Sequence, residues 1–159
     1  MSAIQPQINA PVVEEQAVYD VPLDESVQLY IVELCKEKSI SPELVLAMIE
    51  QESRYNIDIV GDNGNSLGLM QIQPRWHKER MDRLGCTNLL NPYENVTVGV
   101  DILLELFEKY DGDVYMVLMT YNGGPSYAKK MISKGKISDY ALEITARAEE
   151  LEGEKYGKM

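Results

Sequence analysis

From Val27 onward the apolar residues recur every three or four positions, the spacing that lines side chains along one face of an α-helix. Val27, Tyr30, Ile31 and Leu34 form the first stripe, opened by Asp24 or Glu25. Ser41-Pro42-Glu43 then sets a capping hydroxyl, a first-turn proline and an acid in the order that starts a helix. That second helix runs to about Glu52. Pro74 opens a third, ending near Gly85, and Asn91-Pro92 repeats the cap-and-proline start. Val96, Val100, Leu103, Leu104 and Phe107 give the fourth helix its core stripe. Asp111-Gly112 is a turn, and Asp113 caps a fifth helix through Val117, Leu118 and Tyr121. Gly123-Gly124-Pro125 breaks it, and short helices follow over roughly 126–134 and 138–152. No stretch alternates with period two for long, and no internal repeat is present. The pattern predicts an all-α, or mainly α, bundle of about six to seven helices.

Two segments fall outside this periodicity. Residues 1–21 carry Pro6 and Pro11 without helical spacing and read as an extended arm or linker, leaving 22–159 as the domain. Residues 54–73 are rich in Gly, Asn and Asp and read as a loop with a minimal hairpin. Loops of this length are uncommon without a functional reason. This one follows directly from an unusual carboxylate. Val45, Met48, Ile49 and Glu52 share one helical face, so Glu52 lies on an apolar stripe. Glu50 lies roughly 200° around the helix from it and is expected in solvent. Burial should raise the pKa of Glu52, as a general acid working near neutral pH requires. The plainer reading is a carboxylate at a helix end, half exposed or paired with an arginine.

The chain has 159 residues, a length that suits one domain with a real core. Its net charge of −11, from 15 basic and 26 acidic residues, argues against nucleic acid and anionic membrane surfaces as partners. No apolar run is long enough to span a membrane. Met1 to Asn9 lacks the basic start and apolar core of a signal peptide, so either export takes another route or a leader is already removed. Cys35 and Cys86 are the only cysteines, and the sequence leaves open whether they pair. With His77 the single histidine, no Cys/His metal site is expected, and no cofactor is implied. The Asp62 region lacks the alternating ligands and closing Glu of a calcium loop.

Three short motifs occur in order: Glu52-Ser53, Gly68-Leu69-Met70-Gln71-Ile72, and Tyr121-Asn122-Gly123-Gly124-Pro125. Their order and spacing resemble the soluble lytic transglycosylase domain, which shares a lysozyme-like fold with goose-type lysozymes. The resemblance covers about residues 25–150 and implies a lysozyme-like architecture acting on peptidoglycan glycan strands. It makes Glu52 the catalytic acid. Met70 and Gln71 would line the sugar cleft. Tyr121 would pack near the acid and hydrogen-bond to it. Asn122 would touch substrate, Tyr140 would be a late-helix tyrosine of the site, and Ser53 would support it. Amides such as Gln71 and Asn122 suit hydroxyl and acetamido groups, and Met70 and the tyrosines suit the apolar faces of sugars. Each also has a structural reading: Met70 and Tyr121 as core, Gly123-Gly124-Pro125 as a helix stop.

The family resembled uses one carboxylate. It protonates the bond between N-acetylmuramic acid and N-acetylglucosamine, then closes a 1,6-anhydro ring. Yet Asn65-Ser66-Leu67 replaces the usual Gly-Ala-x, and Gly61-Asp62-Asn63-Gly64-Asn65 looks closer to goose-type lysozyme. In those enzymes an Asp at the Asp62 position helps place water, with a companion Asp where this chain has Gln73. Asp62 is therefore a possible second carboxylate, or simply a turn-former. A hydrolase and a non-catalytic glycan-binding module remain alternatives. The resemblance places the activity at the cell wall, outside the cell or in the periplasm. It is compatible with secretion, conjugation or phage machinery as a partner. The acidic balance predicts weak retention on an anionic wall.

Overall fold

A computed structural model describes residues 18–157. Seven α-helices and one two-stranded hairpin make up the described residues. Helix α1 is Glu25–Lys38, α2 Pro42–Ser53, α3 Lys78–Leu84, α4 Pro92–Lys109, α5 Val114–Gly123, α6 Pro125–Ser133 and α7 Asp139–Gly157. Strands β1 (Val60–Gly61) and β2 (Ser66–Leu67) pair antiparallel, Val60 opposite Leu67, within the 54–73 loop.

The starts follow the capping chemistry of the sequence. Asp24, Ser41, Asn91 and Asp113 each accept a backbone N–H of the first turn of α1, α2, α4 and α5. The expected third helix is instead split. Pro74–Trp76 forms a 3-10 turn, and His77 leaves helical geometry at φ −129° before α3 begins. The break turns the Gln73–His77 segment toward the cleft described below rather than along the axis of α3.

Helix α2 is buried almost all round, from Leu44 to Ile49, and packs most extensively on α7. Helix α4 crosses α1, α3 and α5 and buries Val96, Val98, Val100 and Leu103. Burying an apolar side chain of this size contributes about 1.5–3 kcal/mol. The apolar face of α2 is thus a main source of stability, and it fixes where the end of α2 lies. Packing against the helices also includes a residue ahead of Pro22. Tyr19 is buried, donates its backbone N–H to Gln28 Oε1 and donates its hydroxyl to Glu43. The extended-arm reading of residues 1–17 lies outside the described residues. Cys35 and Cys86 are free and buried. No helix among the described residues is long and apolar enough to cross a membrane.

Candidate active site

Helix α2 stops abruptly one residue after Glu52. Arg54 and Tyr55 both adopt left-handed backbone, φ 51° and 65°, which ends the helix and starts the long loop. Glu52 therefore sits in the last helical turn, half-buried, at the wall of an open cleft of about 670 Å³. The cleft runs between the loop, with Asp62, Ser66, Gln71 and Gln73, and the end of α5, with Thr120, Tyr121 and Asn122.

The Glu52 carboxyl is held above the ordinary carboxylate range. Burial is the main cause, Asp62 adds repulsion, and the Tyr140 hydroxyl acts in the opposite direction by favouring the charged form. The Tyr140 hydroxyl is buried beside Glu52 and has no other hydrogen-bond partner among the described residues. The position of Glu52 at a helix C-terminus also disfavours its anion. Glu50 is not free in solvent as its helical position suggested. It accepts Arg147 Nε of α7 at 2.9 Å. The arginine pair of the plainer reading thus belongs to Glu50, and Glu52 keeps the cleft.

The Gly68-Leu69-Met70-Gln71 segment forms a tight turn closed by the mutual backbone bonds of Leu67 and Ile72. Gly68 (φ 70°) allows it. A Cβ there would lie 2.5 Å from both the Leu89 carbonyl oxygen and Asn95 Nδ2. Met70 does not line the cleft. Its side chain is 0% exposed and fills the space that Gly99 of α4 leaves open. Its backbone matters instead: Asn95 Oδ1 accepts the Met70 N–H at 2.9 Å, and the Tyr121 hydroxyl donates to the Met70 carbonyl at 2.7 Å. Tyr121 thus braces the loop rather than bonding Glu52, although the carboxylate is close enough to help hold its hydroxyl protonated, after burial. Gln71 lines the cleft, but its amide donates to the Gly68 and Ile59 carbonyls, at 3.0 and 3.3 Å. Asn122 lines the cleft and is exposed. Ser53 is buried and donates back to the Ile49 carbonyl at 2.9 Å, which confines it to supporting the helix end.

Asp62 also lines the cleft. It accepts the Ser66 hydroxyl at 2.5 Å, and Ser66 Oγ accepts Gln73 Nε2 at 3.2 Å. Gln73, at the companion position, is thus linked to Asp62 through a serine.

Three residues of the site escaped the sequence reading. Asn95, buried in α4, ties the Met70 N–H to the Leu67 and Leu89 carbonyls (both 2.8 Å). Its signal was a lone amide inside an apolar helix. Thr120 lines the cleft, with its hydroxyl buried and unbonded among the described residues. His77 borders the cleft and is held toward the neutral form by burial and by Arg80.

The family model described as "Transglycosylase SLT domain" matches residues 30–144. A transglycosylase of Enterobacteria phage PRD1 is 34% identical over 90 residues, 57% of this chain and 32% of the phage protein. Lysozyme g of Struthio camelus is 28% identical over 119 residues, 69% of this chain and 58% of that protein. The chain therefore spans about a third and somewhat over half of these relatives. Among solved structures, the 70 kDa soluble lytic transglycosylase of Escherichia coli superposes with a TM-score of 0.64 at 20% identity, covering 75% of this chain and 23% of that one. An inactive mutant of the lytic transglycosylase Slt of Pseudomonas aeruginosa gives 0.60 at 22%, covering 74% and 20%. At these identities the structures speak for a shared mainly α, lysozyme-like fold. With the family model matching residues 30–144, more than half of this chain, the chain belongs to the SLT transglycosylase domain family.

Proposed function

We propose that this domain is a peptidoglycan lytic transglycosylase in which Glu52 serves as acid and then base. The observation that carries this reading is Glu52 itself: a half-buried carboxyl on the cleft wall whose pKa burial raises. Such a group can give its proton to the oxygen between N-acetylmuramic acid and N-acetylglucosamine as that bond breaks. The Glu52 carboxylate then takes the proton of the muramyl C6 hydroxyl, whose oxygen bonds to C1 and closes the 1,6-anhydro ring. No water is consumed, and Glu52 ends protonated for the next turnover. Tyr121 and Asn95 hold the Met70 backbone and thereby shape the wall beside the acid. Asn122 offers a polar contact to the strand. The substrate places the action at the cell wall, extracellular or periplasmic, with secretion, conjugation or phage machinery as settings.

A hydrolase is the second reading, favoured by Asp62 on the same cleft and oriented by Ser66. There Asp62 would place a water whose oxygen, rather than the C6 oxygen, bonds to C1. The products differ by one water. Mass spectrometry of released muropeptides should find the anhydro form; only reducing-end muramic acid would establish the hydrolase instead.

A further inference from the structure

Asp62 and Trp76 stand at the two ends of one hydrogen-bond chain along the cleft wall. The Trp76 indole Nε1 donates to Gln73 Oε1 at 3.0 Å. Gln73 Nε2 donates to Ser66 Oγ at 3.2 Å, and Ser66 Oγ donates to Asp62 Oδ2 at 2.5 Å. The break before α3 builds the outer end. In a 3-10 turn the side chains of residues i and i+3 eclipse, which brings Trp76 alongside Gln73. The same pair is bonded through the backbone, the Trp76 N–H to the Gln73 carbonyl at 3.2 Å. The Arg75 guanidinium sits 4.8 Å from the indole centroid and covers one face of the ring.

The chain can run in one direction only. An indole N–H donates and never accepts, so the Gln73 oxygen must face it. The Gln73 amide nitrogen is then left for Ser66, whose hydroxyl has a single proton. With a lone pair already taken by Gln73, Ser66 places that proton on the Asp62 carboxylate. A separation of 2.5 Å is that of a charge-assisted bond, about twice as strong as a neutral one. Ser66 is 1% exposed, so bulk water does not replace Asp62 as its acceptor. Swinging the Asp62 carboxylate away would strand a buried hydroxyl. The contact that orients Asp62 therefore also tethers it.

That tether bears on a choice the cleft makes once the glycosidic bond has broken. The Glu52 carboxylate can take a proton from the muramyl C6 hydroxyl, whose oxygen then bonds to C1. It can instead take one from a water, whose oxygen bonds to C1 in place of the C6 oxygen. Either route returns Glu52 to its acid form. Asp62 lies on the same cleft and could hold such a water, given a side chain free to turn toward C1. We propose that the Trp76–Gln73–Ser66 chain keeps Asp62 from delivering water and so commits the domain to ring closure. Ser66 and Gln73 are positioning residues that act through Asp62. This assignment rests on the transglycosylase reading of Glu52.

The test compares the ratio of reducing-end to anhydro muropeptides released from purified sacculi by the 159-residue chain and its variants. That ratio does not depend on how many bonds each variant cuts. Gln73→Met keeps the length of the side chain and removes both of its bonds in the chain. Ser66→Ala removes the tether itself. Each should raise the ratio about fivefold, the factor that loss of one hydrogen bond of ordinary strength supplies. Adding Asp62→Asn to either variant should bring the ratio back to the wild-type value, because the freed carboxylate is what delivers the water. An unchanged ratio in both single variants would overturn the tether, and so would a rise that survives Asp62→Asn. Gln73 is partly exposed, so Gln73→Met decides the matter even where Ser66→Ala does not fold. Failure of the transglycosylase reading shows separately, in the wild-type chain, which would then release reducing-end products alone.

Discussion

At the scale of single residues, the proposed chemistry depends on opposing influences on Glu52. Burial and Asp62 raise its pKa, and Tyr140 lowers it. The acid must be protonated to act, so cleavage falls as pH rises through that pKa. Asp62→Asn removes a repulsive charge, lowers the pKa and moves the alkaline limb of the kcat/KM profile to lower pH. Tyr140→Phe removes a group that favours the carboxylate and moves the limb to higher pH. Unmoved limbs in both variants would mean that another group sets the profile. Glu52→Gln should lower turnover by about 10³-fold, within the range for loss of a general acid. The same change should raise stability at neutral pH. A carboxyl with a raised folded-state pKa contributes full stability below its unfolded value and loses it as pH rises through the folded one. Thermal unfolding of the wild type and variant at acidic and neutral pH checks this, with the gap between them widening toward neutral. The sequence marked Glu52 because helical periodicity alone placed a carboxylate on an apolar stripe. It gave no sign that Tyr121 would bond the Met70 carbonyl, since a hydroxyl's partner is set by which backbone happens to face it.

At the scale of elements, the cleft loop is held by α4 rather than by its own short hairpin. Asn95 satisfies one N–H and two carbonyls of residues 67–89 from inside an apolar helix. Asn95→Ala strands these groups and should destabilise the fold by about 2–3 kcal/mol, the range for unsatisfied buried polar groups. Denaturant unfolding measures it, and a change below ~0.5 kcal/mol would show that water replaces the amide without cost. Activity should fall too, because the Gly68–Gln71 turn loses its anchor. The helix starts were legible in the sequence since caps act within one turn. The break at His77 was not. Pro74 is equally compatible with a 3-10 turn and with an α-helical start, and the fold takes the former.

At the scale of the whole molecule, the bundle shields its reactive groups. The Cys35 thiol is pushed to about 12 by burial, with Glu43 adding to the shift, and Cys86 is also raised. Native protein at pH 8 should therefore resist thiol reagents, and both cysteines should react only on unfolding. Rapid labelling of a native thiol would contradict the packing described. Helices α2 and α7 are joined beside the site by apolar packing and by Arg147, which bridges Glu50 and Glu150. The sequence by itself determined the helical class, most helix starts and the catalytic candidate, because apolar periodicity and capping are local properties of the chain. Only the tertiary structure decided that Met70 turns inward, that Glu50 and not Glu52 takes the arginine, and that Trp76 stands exposed on the cleft. Those outcomes depend on contacts between residues tens of positions apart, which spacing along one strand of sequence does not record.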